Sequence, residues 1–398
     1  MRGPSTVGRF SAGDALRGLS ALGVMGLHVV EFALGGAGPI TTEVYEAMRA
    51  TYGAVGFLAL TAGLWISVFF VLSGYLISRP FAKAYVNAGP MPGISRYARN
   101  RVLRIVPAFW VAVLATLVVF GLSGSSPWVL PLTLGFGQVF APAQPFITHI
   151  SQGWTLGAEM TFYVLVPVFA LCWGRSAAGS KQARGARLLA LALAMLFGTI
   201  AWRSLGPHEV TWIEVFPGVA AYFAPGVALA AVEMAWPGRL ASATSRRLAA
   251  PSLLLGVGLF FAIAATSGQF ALWRLLAQLA GAGLIVGGAL LREWSGAPPW
   301  KLLRNRATDW LGERSYSIYV LHFGVALWLT DRLAVSGHPW ETLLRVGPLA
   351  VLITFFLSDL SWRWVERPFL RLKGRPAARR GTPEEGHKMR PRHAEFDA

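Results

Sequence analysis

Arg17 and His28 stand eleven residues apart in one apolar stretch, "ALRGLSALGVMGLHVVEF" at 15–32. Eleven residues of an α-helix turn through about 1100°, within about 20° of three full turns, so the two side chains share a face about 16 Å apart along the axis. Arginine is a permanent cation that binds anions, and histidine exchanges protons near neutral pH. The spacing predicts a cationic anchor at one end of a helix and a base further along it, with Asp14 on nearly the same stripe.

Two simpler interpretations of this helix stay open. If it crosses a membrane, a charged group at its centre costs about 2.5 kcal/mol or more, which favours a functional role for its ionisable residues. Arg17 alone is nevertheless consistent with an ordinary anchor at the membrane surface. His28 alone is consistent with a hydrogen bond between helices.

Two further ionisable residues lie inside apolar stretches and are expected near His28. Glu159 in "GWTLGAEMTFYVLVP" lies about 8 Å along its helix from Trp154, which brings it to the depth of His28 if the two helices enter from opposite faces. A carboxylate there would fix the tautomer of the imidazole for general-base catalysis, although a structural pair is also possible. His322 in "GERSYSIYVLHFG" is a rival for the role of base, or a pore-lining or orienting group.

A basic cluster precedes another apolar stretch in "RYARNRVLRIVPAFW". Arg101 and Arg104 are three residues apart and therefore share a helix face. The planar guanidinium suits phosphate, so a cytoplasmic phosphate site is one interpretation. On spacing alone, a simple cluster of membrane-surface cations is the favoured one. In "FFVLSGYLISRP", Ser73 and Gly74 are small residues that favour close packing of helices.

The elements that must position these residues are membrane helices. The chain of 398 residues is 54% hydrophobic and 14% charged, with 16 Trp and a mean hydropathy of +0.50, whereas soluble domains have about 25% charged residues. We expect an all-α, polytopic integral membrane protein with about ten transmembrane helices. The expected spans lie near 15–34, 55–78, 103–122, 154–173, 187–205, 212–235, 250–266, 270–291, 312–334 and 344–364.

The basic residues predict the orientation of these spans. With ten spans, both termini lie on one side, and all but five of the 36 Lys and Arg residues then fall on that side. Basic loops stay in the cytoplasm, so we expect a multi-pass protein of the cytoplasmic membrane with both termini inside. The net charge of +17 is explained in this way and does not indicate nucleic-acid binding. The five exceptions are Arg49, Arg203, Arg274, Arg332 and Arg345.

The domain organisation is expected to be simple. We expect residues 1–370 to form the membrane domain and residues 371–398 to form a polar, disordered cytoplasmic tail, because this segment lacks the apolar content for a core. Cys172 is the only cysteine, which excludes an internal disulfide and a cysteine-based metal cluster. We expect no metal.

In order along the chain, these segments resemble the acyltransferase-3 family of bacterial integral-membrane O-acyltransferases. Thr155 stands where that family usually has Ser, and Tyr75 where Phe is common. The resemblance covers about 360 residues and rests on Asp14, Arg17, Gly18 and His28, on Phe69 to Leu76, on Arg101, Val102, Leu103, Arg104, Ile105 and Pro107, on Trp154, Thr155, Leu156, Glu159, Phe162 and Tyr163, on Tyr316 to Tyr319 with His322, and on Glu366 and Pro368.

The resemblance implies transfer of an acyl group, usually acetyl, from cytoplasmic acyl-CoA to a hydroxyl of a sugar, a glycolipid or a glycosylated metabolite, in contact with membrane lipid. It implies that His28 is the general base or the acyl carrier and that Glu159 orients it. Arg101 and Arg104, with Arg17 and Ser73, would bind the CoA donor, which is expected to be acetyl-CoA. His322, Asp14 and Tyr163 are secondary candidates.

The alternative is a multispanning transporter or flippase of a glycan or lipid-linked substrate, in which buried charges would line a path. The sequence shows neither an evident repeat nor paired interrupted helices. A glycosyltransferase acting on a lipid-linked sugar is a further rival. Consumption of acyl-CoA that depends on an acceptor would separate the acyltransferase from both.

Overall fold

The computed structural model describes residues 10, 12–35, 41–121, 128–138, 150–174, 178–206, 210–266 and 271–373, and these contain helices and no strand. The α-helices are α1 Gly13–Ala33, α2 Thr42–Tyr52, α3 Ala54–Gly63, α4 Ile66–Val86, α5 Ile94–Phe120, α6 Val129–Leu134, α7 Trp154–Gly174, α8 Lys181–Leu205, α9 Val210–Glu214, α10 Phe216–Val219, α11 Ala224–Ala235, α12 Pro237–Leu240, α13 Ala243–Ala264, α14 Leu272–Trp294, α15 Arg306–Leu333, α16 Pro339–Ser361 and α17 Arg367–Arg371. A π-helical turn, Trp362–Glu366, joins the last two.

The all-α, polytopic membrane class predicted from composition is confirmed. Eight helices in the described part of the chain are long and apolar enough to cross a membrane, and a ninth span is possible if Phe216–Tyr222 and Ala224–Ala235, bent by 45°, count as one. α15 has 28 residues, which is long enough, but it carries more charge at its two ends. The predicted count of ten stays a prediction.

α1 is held against α15 by two glycines. A Cβ on Gly18 would lie 2.8 Å from the backbone nitrogen of Gly312, and a Cβ on Gly312 would lie 2.4 Å from the carbonyl oxygen of Asp14. Only residues without a side chain allow two helix backbones to approach so closely. Ten residues further along each helix, His28 meets His322, so the two helices run parallel and in register.

The small residues of α4 pack as the sequence predicted. A Cβ on Gly74 would lie 2.3 Å from the carbonyl oxygen of Phe223, just before α11. Glu233 of α11 accepts hydrogen bonds from the Tyr75 hydroxyl at 2.8 Å and from Nε of Arg79 at 2.9 Å. The close contact and the ion pair fix α4 against α11.

Cross-helix contacts define the two ends of the bundle. The Tyr97 hydroxyl near the start of α5 bonds the carbonyl of Tyr163 on α7 at 3.1 Å, whereas Phe109 further along α5 lies beside Gly153, just before α7. α7 therefore runs antiparallel to α5. We call the end at which α1, α5 and α15 begin the arginine end, because it carries Arg17, Arg101 and Arg104, and the other the opposite end.

The predicted domain boundary falls close to the limit of the described chain. α17 ends at Arg371, and Leu372 and Lys373 follow it in a turn. The remainder of the predicted tail, residues 374–398, lies outside the described residues. Both the membrane domain at 1–370 and the tail at 371–398 therefore stay predictions.

Candidate functional site

Two histidines form a hydrogen-bonded pair between α1 and α15. Nδ1 of His28 lies 2.9 Å from Nε2 of His322, and the two rings are stacked at an interplanar angle of 14° with their centroids 5.2 Å apart. His322 is fully buried, with 0% exposure, whereas His28 is partly exposed. Phe32 and Phe323 pack against the His28 ring. The pair therefore has one ring fully buried inside the bundle and one ring that is partly exposed.

The hydrogen bonds fix the tautomer of each neutral ring. Nδ1 of His322 lies 3.1 Å from the carbonyl oxygen of Ile318, and because a carbonyl can only accept, Nδ1 carries the proton. Nε2 of His322 is then the acceptor, so Nδ1 of His28 donates to it. The remaining nitrogen, Nε2 of His28, keeps its lone pair and has no hydrogen-bond partner among the described residues. This atom is positioned to take a proton.

A second set of polar contacts supports the pair from the side of α7. The hydroxyls of Tyr319 and Thr155 are 2.7 Å apart, and the Tyr319 hydroxyl also lies 3.2 Å from the carbonyl oxygen of Gln152. The Gln152 amide donates to the carbonyl of Val320 at 3.0 Å. These bonds tie the start of α7 to the turn of α15 that carries His322, and so restrict the movement of that ring.

Glu159 has partners other than the predicted one. Its Oε1 accepts a hydrogen bond from the Ser73 hydroxyl and one from the Tyr163 hydroxyl, both at 2.5 Å. The carboxylate is buried, with 3% exposure. The imidazole that was expected to meet Glu159 is bonded to His322 instead. The hydrogen-bond partner of His28 in this structure is therefore the second histidine.

Helix register explains the change of partner. Thr155 contacts Tyr319, and α7 and α15 run in opposite directions, so Glu159 lies one turn towards the arginine end while His322 lies about one turn the other way. At a rise of 1.5 Å per residue, the two are separated by about 10 Å along the bundle axis. The depth estimated from the sequence placed Glu159 too near the opposite end of the bundle.

Three predicted arginines lie close together at the arginine end. Arg17 donates to Asp14 at 3.0 Å, within one turn of α1. The guanidinium of Arg101 lies 5.5 Å from the ring centre of Tyr97 and 5.4 Å from that of Tyr163. Nε of Arg101 is buried and has no hydrogen-bond partner among the described residues. A buried donor without a partner indicates a group that a ligand would complete.

Glu159 and this cluster form one connected structure. Tyr163 bonds Glu159 through its hydroxyl and presents its ring to Arg101. Arg17 lies within electrostatic range of Arg104, Glu159 and Tyr163. Ser73 joins the same group through Glu159. The structure thus brings together the predicted donor-binding residues and places Glu159 among them.

Lys373 adds a fourth cation that the sequence analysis missed. Burial, together with the charges of Arg104, Arg101 and Arg17, lowers the pKa of this lysine to about 7. A group forced towards neutrality by surrounding cations would regain its proton when an anion binds. No run of charge in the sequence distinguishes Lys373 from the basic tail that follows it, so only the fold reveals its position.

A second residue that the sequence analysis missed is Glu31, which is buried with 1% exposure on α1. Its position one turn beyond His28, inside the first span, was a usable signal, because carboxylates in membrane helices are rare and usually functional.

In the described part of the chain, no group of three or more His, Cys, Asp or Glu side chains could hold a metal ion.

The site therefore has two parts that can act in sequence. The cations at the arginine end can hold phosphate groups, and the lone pair on His28 can remove a proton from a hydroxyl. Along α1, the two parts are about 16 Å apart. This arrangement suits a substrate whose phosphates and reactive group lie at the two ends of a long arm.

Comparisons with known proteins identify the family of the chain. Residues 11–363 match the acyltransferase-3 family, described as an acyltransferase domain. Among named proteins, the chain is similar to YrhL of Bacillus subtilis (strain 168), named as a candidate peptidoglycan O-acetyltransferase, with 26% identity over 78% of the chain. It is similar to the peptidoglycan O-acetyltransferase OatA of Listeria monocytogenes serovar 1/2a (strain ATCC BAA-679 / EGD-e), with 24% identity over 76% of the chain.

A further relative is similar over most of its length. The exopolysaccharide production protein ExoZ of Rhizobium meliloti (strain 1021) is 30% identical over 80% of the chain and 91% of its own length. By contrast, the match covers only 50% of YrhL and 50% of OatA. No solved structure matches the chain.

Proposed function

The chain belongs to the acyltransferase-3 family and is a multi-pass membrane acyltransferase, and from this premise we propose that it moves an acetyl group from acetyl-CoA to a hydroxyl of a carbohydrate. His28 is the general base of this reaction. The observation that carries the proposal is the free lone pair on Nε2 of His28, oriented by the hydrogen bonds through His322 to the backbone of α15.

The proposed donor is a CoA thioester, because the arginine cluster and His28 are separated by a distance that a long, extended donor can span. CoA carries its phosphates at one end of a long pantetheine arm and its thioester at the other. Phosphates bound by Arg101, Arg104 and Arg17 would allow the arm to extend along α1 towards His28. Acetyl is the proposed acyl group because OatA and YrhL are named as O-acetyltransferases.

The transfer follows from the position of the base. As the acceptor hydroxyl attacks the thioester carbonyl, Nε2 of His28 takes its proton, the new C–O bond forms and the C–S bond breaks with release of CoA thiolate. The imidazolium that results keeps its Nδ1–H bond to His322, whose lone pair stabilises the positive ring. The proton then passes from His28 to the thiolate or to water, which restores the neutral pair.

The acceptor is proposed from the relatives. Peptidoglycan and exopolysaccharide, the polymers in their names, are both carbohydrates that offer many hydroxyls. A glycolipid or a glycosylated small molecule presents the same group. The arginine end would face the cytoplasm, where acyl-CoA is present and basic residues are retained, and the opposite end would face the cell envelope.

The test is release of CoA from acetyl-CoA by the full-length, detergent-purified protein. Soluble oligomers of N-acetylglucosamine and of glucose, together with extracted cell-envelope glycan, serve as acceptors. We expect CoA release that requires an acceptor and that is lost in His28→Ala. The matched control is His338→Ala, because His338 is an exposed histidine at the opposite end.

Each outcome bears on the proposal. Loss of activity in His28→Ala alone supports acyl transfer with His28 as base. Equal activity in His28→Ala and the wild type would remove His28 from the mechanism. If the wild type released no CoA with any acceptor, while labelled glycan still crossed proteoliposome membranes, the transporter interpretation would replace this one.

A further inference from the structure

Glu31 lies one helical turn beyond His28 towards the opposite end. Its Oε1 is buried and has no hydrogen-bond partner among the described residues, and the side chain is 1% exposed. A buried carboxylate without donors is costly, because it gives up hydrogen bonds with water and gains none. The catalytic pair does not use it, since His28 bonds His322. The carboxylate is therefore expected to find its partner in a ligand.

The surroundings of Glu31 are aromatic and polar. Tyr45 of α2 lies within electrostatic range of Glu31, Arg274 and Tyr222. The guanidinium of Arg274, which is 4% exposed, lies 5.6 Å from the Tyr45 ring centre and donates to the carbonyl and hydroxyl oxygens of Thr266. The Tyr222 hydroxyl donates to the side chain of Gln278 at 3.2 Å. Phenol, amide and carboxylate groups thus gather near the far end of α1.

The side chains around Glu31 indicate which kind of ligand would bind there. A carboxyl oxygen accepts hydrogen bonds from hydroxyls, and an aromatic ring covers the apolar face of a sugar, so these groups suit a carbohydrate. Glu31 is about 4.5 Å from His28 along α1 and about 60° around it. One sugar ring can therefore offer one hydroxyl to His28 and a neighbouring hydroxyl to Glu31.

We propose that Glu31, together with Tyr45, positions the acceptor carbohydrate by accepting hydrogen bonds from hydroxyls next to the one that His28 deprotonates. The proposal rests on the proposed acyl transfer, which it extends by placing the acceptor at the opposite end from the CoA phosphates. Glu31 is a positioning residue, because it acts on the acceptor and leaves the proton transfer to His28.

The experiment compares Glu31→Gln with the wild type in steady-state kinetics, using acetyl-CoA with N-acetylglucosamine and glucose oligomers. We expect at least a tenfold rise in the KM for the acceptor and an unchanged KM for acetyl-CoA. Glu43→Gln is the matched control, since Glu43 is an exposed carboxylate on α2. A carboxylate with only a structural role would lower the thermal stability without separating the two KM values. An unchanged acceptor KM in Glu31→Gln would overturn the proposal.

A direct binding measurement separates this inference from the proposed function. Binding of the same oligomers is measured with wild type, Glu31→Gln and His28→Ala, and gel filtration confirms that each variant is folded. Binding by wild type and His28→Ala but not by Glu31→Gln supports the acceptor site, even if no CoA is released. Equal binding by wild type and Glu31→Gln, or no binding by the wild type, overturns it.

Discussion

The histidine pair and the arginine cluster both involve α1, yet the pair is held by hydrogen bonds whereas the cluster is strongly cationic. The pair is a neutral chain of hydrogen bonds, and its partner ring His322 is completely buried. The cluster holds several cations around Tyr163 and leaves Nε of Arg101 without a partner among the described residues. The first region holds two rings in a fixed arrangement, and the second presents positive charge and a donor without a partner. Under the proposed function, we expect changes in the pair to alter kcat and changes in the cluster to alter the affinity for the donor.

The largest effect is expected from His322→Phe, which keeps an aromatic ring and removes the acceptor for Nδ1 of His28. The unbound imidazole would lose its fixed tautomer, and we expect kcat to fall about 10²-fold, within the range of general-base contributions. The KM for acetyl-CoA should stay the same. CoA-release kinetics measure both. The exposed His338→Phe is the control, and an equal loss there, or a change confined to the donor KM, would break the assignment.

The next largest effect is expected at the contact between α1 and α15 that places His28 beside His322. Gly312→Ala places a methyl group 2.4 Å from the carbonyl oxygen of Asp14, so the backbones of α1 and α15 must separate. We expect a loss of about 1–3 kcal/mol in stability, as in other overpacked sites, and a several-fold fall in kcat. Thermal unfolding and kinetics measure this change. Gly258→Ala in α13 meets open space and should be neutral; wild-type behaviour of Gly312→Ala would show that the contact can relax.

A smaller effect is expected from Arg101→Lys in the cluster. Lysine keeps the charge but loses the planar fork and its stacking between Tyr97 and Tyr163. We expect about a tenfold rise in the KM for acetyl-CoA, equivalent to about 1.4 kcal/mol, with kcat unchanged. Arg96→Lys, at an exposed position on the same helix, should behave as the wild type. A fall in kcat alone would contradict the division of roles.

The smallest effect concerns pH. Because the pKa of Lys373 is lowered to about 7 by burial and by the neighbouring arginines, its cationic form is lost as pH rises through 7. Phosphate binding would favour the charged form, so affinity for acetyl-CoA should be highest below pH 7 and fall several-fold by pH 8. Lys373→Met should flatten this profile, whereas the exposed Lys301→Met should not. An identical profile in Lys373→Met would exclude Lys373 from the donor site.

Several parts of the site could be predicted from local sequence. The face shared by Arg17 and His28, and the pairing of Arg101 with Arg104, follow from helix geometry. The packing role of Gly74 follows from its size, and the structure confirms it. The bond between His28 and His322 could not be predicted as a pair, because it joins residues 294 positions apart.

The partners of Glu159 show why depth along one helix is a weak guide to the residues that it meets on other helices. α7 begins at Trp154, as predicted, so the error is in the depth at which that residue lies in the bundle. A shift of one or two turns in this depth moves a side chain by about 5–10 Å. Such an error is enough to exchange a predicted imidazole for the hydroxyls of Ser73 and Tyr163. Lys373 was missed for a related reason, since its importance comes from neighbours supplied by other helices. Glu31 was missed although its position inside the first span was a usable signal.

By itself, the sequence determined that this is a helical membrane protein, which polar residues lie inside its apolar helices and which of them share a face. Hydropathy and helical period are local properties, so a single chain segment is enough to express them. Only the tertiary structure decided that His322 is hydrogen-bonded to His28, that Glu159 is bonded to Tyr163 beside the arginines and that Oε1 of Glu31 is buried without a partner in the described chain. These facts depend on the register between helices, which contacts such as that between Gly18 and Gly312 set.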